Sequence, residues 1–341
     1  MRFDVLGKLG LAVLCAFLVV GLAASVVAAA AQEVAIVVKI AGIPWFNRMA
    51  VGVEEAGRAL GIRAFLTGPS TADAAAQVAM VEDLVSRGIG AIGVVPTDAK
   101  ALAPVFNRAR QKGIIVLTHE SPFETEAIDY DIETIDSAAY GRMAVDEMVA
   151  GLRRAGVSCT AEKPCGFVML VGGLTVPLHN YWADVALQYV RTNYPQLREL
   201  TSRLPTAESV EDSRRAVLDL MRAYGSGLNG VIGWGSLGPL GAAAAVRERG
   251  MQRRIIVGGS AIPSSAVAYL ADGSMTWAQL WDPKDAGFAM VYVAKQLLDG
   301  RRITPGMEIA GLGPVSVEGK VVSVNRTLLM RSADDARRAG F

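Results

Sequence analysis

The chain has 341 residues, 52% of them hydrophobic, with 34 basic against 33 acidic side chains, three cysteines and two histidines. That length suggests about two domains of roughly 100–200 residues each. The near-zero net charge excludes the basic face of a nucleic-acid binder, and so few cysteines and histidines exclude a disulfide scaffold or a multi-ligand metal centre.

The apolar excess begins at the N-terminus, where residues 1–30 read as a signal peptide. Arg2 and Lys8 form a basic segment around Asp4, Leu9–Val20 is an apolar core, and Ala28, Ala29 and Ala30 offer a small-residue cleavage site. An uncleaved anchor is the rival reading, because no charge occurs between Leu9 and Ala31. Gly21 and the alanine-rich end favour cleavage. Cys15 follows Leu14 inside the apolar core, where a lipidation site would need a small residue. The expected location is therefore a bacterial periplasm, an oxidising compartment. There Cys159 and Cys165, which bracket Thr-Ala-Glu-Lys-Pro, are expected to form a small-loop disulfide, with two free thiols as the alternative. Their spacing is not Cys-x-x-Cys, so a redox role is not expected.

The rest of the chain alternates short apolar runs with helical periodicity. Val34–Ile40 is a β-branched run of the kind found in parallel strands covered on both faces. A helix over Met49–Leu60 stops at Gly61, and a strand over Ile62–Leu66 precedes a helix from Thr71 to Gly88. Ala91–Val95, a helix from Asp98 to Lys112 and Ile114–Thr118 complete the first series. After a break at Tyr130–Asp136 the rhythm resumes. Helices are expected over 138–154, 180–193, 210–224, 237–249 and 263–270, and strands over 166–171, 199–204, 230–234 and 255–258. Strands alternating with helices imply a parallel sheet with right-handed crossovers, here in two α/β lobes.

Ligands of such sheets sit at the carboxyl ends of the strands, so the loops there carry the candidates. Lys39 ends the first strand and is followed by Trp45 and Phe46; it is either a solvated edge charge or a cation beside two stacking rings. Glu120, after the fourth strand, either accepts from ligand hydroxyls or caps the turn before Pro122. Gly172 to Trp182 joins a strand to a helix whose N-terminus favours electronegative groups; His179 within it is a donor or a structural histidine. Gly235 and Ser236 follow a later strand, and Trp277–Asp282 pairs aromatics with a carboxylate. Asp282 is the leading candidate for gripping two neighbouring hydroxyls. The segment Gly258-Gly-Ser260 lacks the phosphate-loop pattern, and the chain has no G-x-S-x-G elbow. A glycosidase would need two opposed carboxylates, a part that Glu120 and Asp282 could fill. The preferred reading is a binding protein, not an enzyme, with no cofactor and no metal.

At Val38–Phe46, Gly113–Ser121, Thr175–Trp182 and Leu280–Asp282 the chain resembles the periplasmic sugar-binding proteins of ABC importers. The likeness is to the ribose-binding-like type, and within it to rhamnose-type and autoinducer-2-type binders. The resemblance implies two Rossmann-like lobes joined by three crossings, near Asp131, Trp281 and Gly311. One lobe would take residues 33–130 and 285–310, the other 131–284 and 311–341. Lys39 matches the ligand-binding lysine of the autoinducer-2 pattern, and Glu120 stands for its aspartate. Leu178 and His179 replace its Asp-Gln pair, and Trp234 and Ser236 replace its Pro and Ala. The lost carboxylate and the bulk of Trp234 shift the implied ligand toward a monosaccharide, deoxysugar or other small polyol. Trp45, Phe46 and Trp281 would cover its C–H faces, with Trp182 nearby. A monomeric protein delivering this ligand to a permease is implied; a sensor presenting a sugar-like signal to a receptor kinase or chemoreceptor is the alternative.

Overall fold

The computed structural model describes residues 33–123 and 125–341, so the expected signal peptide lies outside the described residues. The first strands are β1 (Glu33–Val37), β2 (Arg63–Thr67), β3 (Ala91–Val94), β4 (Ile115–His119) and β5 (Tyr130–Glu133). Then come β6 (Cys165–Leu170), β7 (Leu197–Glu199), β8 (Leu228–Gly233), β9 (Ile256–Ser260) and β10 (Trp277–Leu280). The tail adds β11 (Glu308–Ile309), β12 (Gly313–Pro314), β13 (Ser316–Glu318), β14 (Val321–Ser323) and β15 (Leu328–Met330). One sheet runs β13-β14-β5-β4-β3-β1-β2 and the other β15-β10-β9-β8-β6-β7. Within these two sheets only the edge pairs β13–β14 and β10–β15 are antiparallel. The apolar runs of β1, β3 and β6 are buried because helices cover both faces.

The first sheet carries α1 (Pro44–Leu60), α2 (Ala74–Ser86) and α3 (Ala99–Gln111). The second carries α4 (Ser137–Arg154), α5 (Pro177–Asn193), α6 (Val210–Tyr224), α7 (Gly238–Glu248), α8 (Pro263–Asp272) and the short α10 (Ala333–Ala339). Between α8 and α10 in the chain, α9 (Pro283–Leu298) returns to the first lobe and packs along α1. The approach is so close that a Cβ at Gly52 would lie 1.9 Å from the carbonyl oxygen of Lys284. Only a glycine fits there.

Several boundaries differ from the sequence expectation. Helix α1 starts at Pro44 and α5 at Pro177, several residues before the periodic apolar pattern begins, because a proline in the first turn loses no helical hydrogen bond. The break at Tyr130–Asp136 contains β5, and the strand expected at Glu199–Leu204 is β7, with Leu204 contributing a single bridge to Leu170. The third crossing is not near Gly311. β14 pairs with β5 in the first sheet and β13 pairs with β14, so the chain crosses between Ser323 and Leu328, beside the first crossing at 134–136. There Val324 and Arg326 donate backbone hydrogen bonds to Glu133 and Thr134. The disulfide Cys159–Cys165 is present, with Cα atoms 5.2 Å apart, between α4 and β6.

Candidate functional site

The carboxyl ends of both sheets meet across a cleft, where residues from both lobes line a pocket. Lys39, just past β1, is its electrostatic centre. The Lys39 ammonium is 3% exposed and donates to Glu120 Oε2 at 2.7 Å, a contact within the first lobe. From the second lobe come His179 Nε2 at 3.3 Å and Glu208 Oε1 at 3.8 Å. Burial would push Lys39 down, but Glu120 and Glu208 outweigh it and hold the amine above its ordinary value. Burial raises the Glu208 carboxyl; Lys39 opposes that rise and Glu120 adds to it. Burial first, and then the Lys39 charge, push His179 well below the usual imidazole value.

The backbone explains why Glu120 reaches this point. It adopts a left-handed conformation, φ 63°, which for a residue with a side chain costs about 1 kcal/mol or more. Its N–H donates to Glu133 Oε1 at 2.9 Å, while Ser121 N–H and Thr118 Oγ1–H donate to Asp131 Oδ1. Asp131 and Glu133 are buried side by side; burial raises both carboxyls, and the neighbouring Asp131 raises Glu133 further. In the second lobe Gly172 performs the equivalent task. A Cβ there would lie 2.5 Å from Glu208 Oε1 and 2.9 Å from His179 Nδ1, so the glycine lets both side chains rest on the backbone.

Aromatic rings make the other walls. Trp45 meets Trp281 edge-on at 4.9 Å, Trp182 lies 5.7 Å from Trp281 and 6.0 Å from Trp234, and the His179 ring stacks on Trp182. Tyr140, behind them, bonds Ser260 Oγ at 2.8 Å. The buried indole N–H groups of Trp182, Trp234 and Trp281 have no protein acceptor. The arrangement is one charged pole facing apolar walls that carry unpaired donors. That combination can grip a small molecule with oxygen atoms at its edge and C–H groups on its faces.

The structure brings Lys39, Trp45, Phe46, Glu120, His179, Trp182, Trp234, Ser236 and Trp281 together around this cavity. Asp282 does not join them, which corrects the leading sequence candidate. It is the N-cap of α9; its side chain accepts from Lys284 N–H and from Arg48 Nε and Nη2, at 2.9, 2.9 and 2.6 Å. Following Trp281, it turns its carboxylate toward α1 and away from the cleft. The sequence reading also missed Glu208, Ser260 and Ile43, all of which line the cavity. Glu208 lies in the loop after β7, so the rule that ligands bind at strand carboxyl ends could have found it. Among the described residues no group of three or more His, Cys, Asp or Glu is placed to hold a metal ion, and no helix is long and apolar enough to cross a membrane.

Two parallel α/β lobes, crossed three times by the chain and shut over a cavity at their strand ends, define a two-lobed cleft protein of the type I periplasmic binding fold. Residues 34–302 match the periplasmic binding protein domain, and the chain belongs to that family. It is 24% identical over 273 residues to the ribose import binding protein of Bacillus subtilis, covering 76% of this chain and 79% of that protein. Its fold is similar to that of LsrB from Clostridium saccharobutylicum in complex with AI-2, with TM-score 0.84 and 21% identity over 91% of this chain and 100% of that one. A solute-binding protein from Clostridium phytofermentas with bound L-rhamnose superimposes with TM-score 0.79 and 19% identity, covering 90% and 97% of the two chains.

Proposed function

We propose that this protein is the periplasmic substrate-binding component of an ABC importer, capturing a small sugar or polyol between its lobes and delivering it to a membrane permease. The observation that carries this reading is the cavity itself. Lys39 and Glu120 from one lobe face His179 and Glu208 from the other, against walls of tryptophan and phenylalanine. Charged groups of both signs match hydroxyls, which donate and accept; flat rings match the C–H faces of a sugar. The family and its sugar-binding relatives support the same class of ligand. The geometry supports delivery. Contacts between Lys39 and the second lobe form only when the cleft shuts, so a permease that docks on both lobes receives the loaded form.

A thermal-shift screen of the mature protein against pentoses, hexoses, deoxyhexoses and alditols tests the reading. A ligand at a hundred times its Kd adds about 2.7 kcal/mol, or a rise of about 5 °C. A panel with no response, beside a clear response to amino acids or inorganic anions, would overturn it.

A further inference from the structure

The hydrogen bonding of His179 does not close on protein atoms alone. Gly172 donates its backbone N–H to His179 Nδ1 at 3.0 Å, so Nδ1 presents its lone pair. A neutral imidazole then carries its one proton on Nε2. Burial and the adjacent Lys39 ammonium both oppose a second ring proton. The Nε2–H therefore faces Lys39 Nζ at 3.3 Å, and Lys39 is itself a donor, bound to Glu120 at 2.7 Å. One ring proton cannot give both Gly172 and Lys39 an acceptor. An acceptor atom set between Nε2 and Nζ resolves the conflict.

We propose that Lys39, His179 and Glu120 hold one hydroxyl oxygen of the ligand between them, with His179 fixed as the Nε2–H donor. Their three polar atoms form a triangle with sides of 2.7, 3.3 and 4.0 Å. All three residues line the cavity, and an oxygen about 2.8 Å from each corner stands about 2 Å above the plane of the triangle. A hydroxyl accepts two hydrogen bonds and donates one. It accepts from the Lys39 ammonium and the His179 Nε2–H and donates to the Glu120 carboxylate. A ketone or ether at that position has no proton for Glu120. A carboxylate adds a negative charge beside Glu120 and Glu208, where, among the described residues, Lys39 is the one buried cation. The ligand is thus an uncharged polyol with one indispensable hydroxyl, and sugar acids are rejected. This rests on the polyol reading above.

The first test needs no ligand. The protein has two histidines, and the structure gives them opposite tautomers, since His119 Nδ1 donates to Ile132 O at 2.5 Å. A long-range proton–nitrogen correlation spectrum of histidine-labelled protein at neutral pH is expected to show one Nδ1–H ring and one Nε2–H ring. The second should vanish in His179→Phe. A His179 ring protonated at Nδ1, or at both nitrogens, overturns the proposal. The second test is calorimetry with D-ribose, xylitol and L-rhamnose, followed by the mono-deoxy analogues of whichever binds. One deoxy position should lose at least tenfold in affinity, and that loss should shrink below threefold in His179→Phe. His179→Gln, which keeps an N–H at similar reach, should restore it and serves if the phenylalanine variant does not fold. Equal deoxy losses in wild type and His179→Phe count against the shared hydroxyl. An Nε2–H ring with no binding of any polyol removes the polyol reading and the hydroxyl with it. The wrong tautomer in a protein that binds a polyol removes this proposal alone.

Discussion

Glu208 Oε1 stands 3.8 Å from Lys39 Nζ, joining the loop after β7 in the second lobe to the end of β1 in the first. The contact crosses the cleft and both side chains are nearly buried, so it exists only in the shut form. Glu208→Gln keeps the shape and removes the charge. Ligand affinity is expected to fall about tenfold, roughly 1.4 kcal/mol, because the buried ion pair across the cleft is lost. Titration calorimetry reads this directly; an affinity within twofold of wild type would make Glu208 a bystander.

The pH dependence of binding follows from His179. In the shut cleft its pKa lies well below the usual value, because of burial and then Lys39; opening withdraws Lys39 and part of the burial, so the open form takes up a proton at a higher pH than the shut form. Above that pH neither form binds the proton and affinity is flat. Below it the open form takes up a proton that the shut form refuses, so affinity falls, approaching tenfold per pH unit. Glu208 acts in the opposite sense: its carboxyl is raised by burial in the shut form, so closure takes up a proton as the medium becomes more acid. Measuring in the Glu208→Gln background removes that opposing term. The prediction is a steady loss of affinity on acidification from neutral pH in that background, and none when His179→Phe is added. A flat profile in the single variant would show that His179 does not change environment on closure.

The alternation of strands and helices was readable because strands such as β1 are short β-branched runs, and most helices end at a glycine or begin at a capping residue. Asp98 is an example of the latter, its side chain accepting from Ala101 N–H. What escaped is nonlocal. Strand β14 is three residues long, and its placement in the first sheet depends on β5, almost two hundred positions earlier. Lys39, Glu120 and His179 were legible as residues at strand ends. Glu208 was not singled out, because it belongs to an irregular loop whose strand, β7, has only three residues. Asp282 drew attention through the neighbouring Trp281, yet the two side chains serve different neighbours. Periodicity cannot tell a carboxylate that caps a helix from one that faces a ligand.

The pairing of Asp282 with Arg48 changes what its removal should do. Asp282→Ala deletes the cap on α9 and a two-pronged contact to α1. A lost N-cap costs about 1 kcal/mol, and the two-pronged, part-buried pair with Arg48 adds about 1 kcal/mol more. Thermal unfolding should shift down by about 4 °C, with ligand affinity unchanged within threefold. A tenfold loss of affinity at unchanged stability would return Asp282 to the binding site.

The disulfide tests the separation of stability from binding. Cys159 and Cys165 are six positions apart, and Cys165 opens β6 at its amino end, whereas the cavity lies at the carboxyl ends of the strands. Closing so short a loop removes little entropy from the unfolded chain, about 2 kcal/mol on the chain-entropy scale. Replacing both cysteines by serine should therefore lower the melting temperature by about 4 °C and leave affinity unaltered. Dithiothreitol should produce the same shift in the wild type and none in the double variant. A loss of affinity on reduction, with the fold intact by circular dichroism, would mean that strain at the amino end of β6 reaches Gly172 and His179, and the two ends of the strand could not be treated as independent.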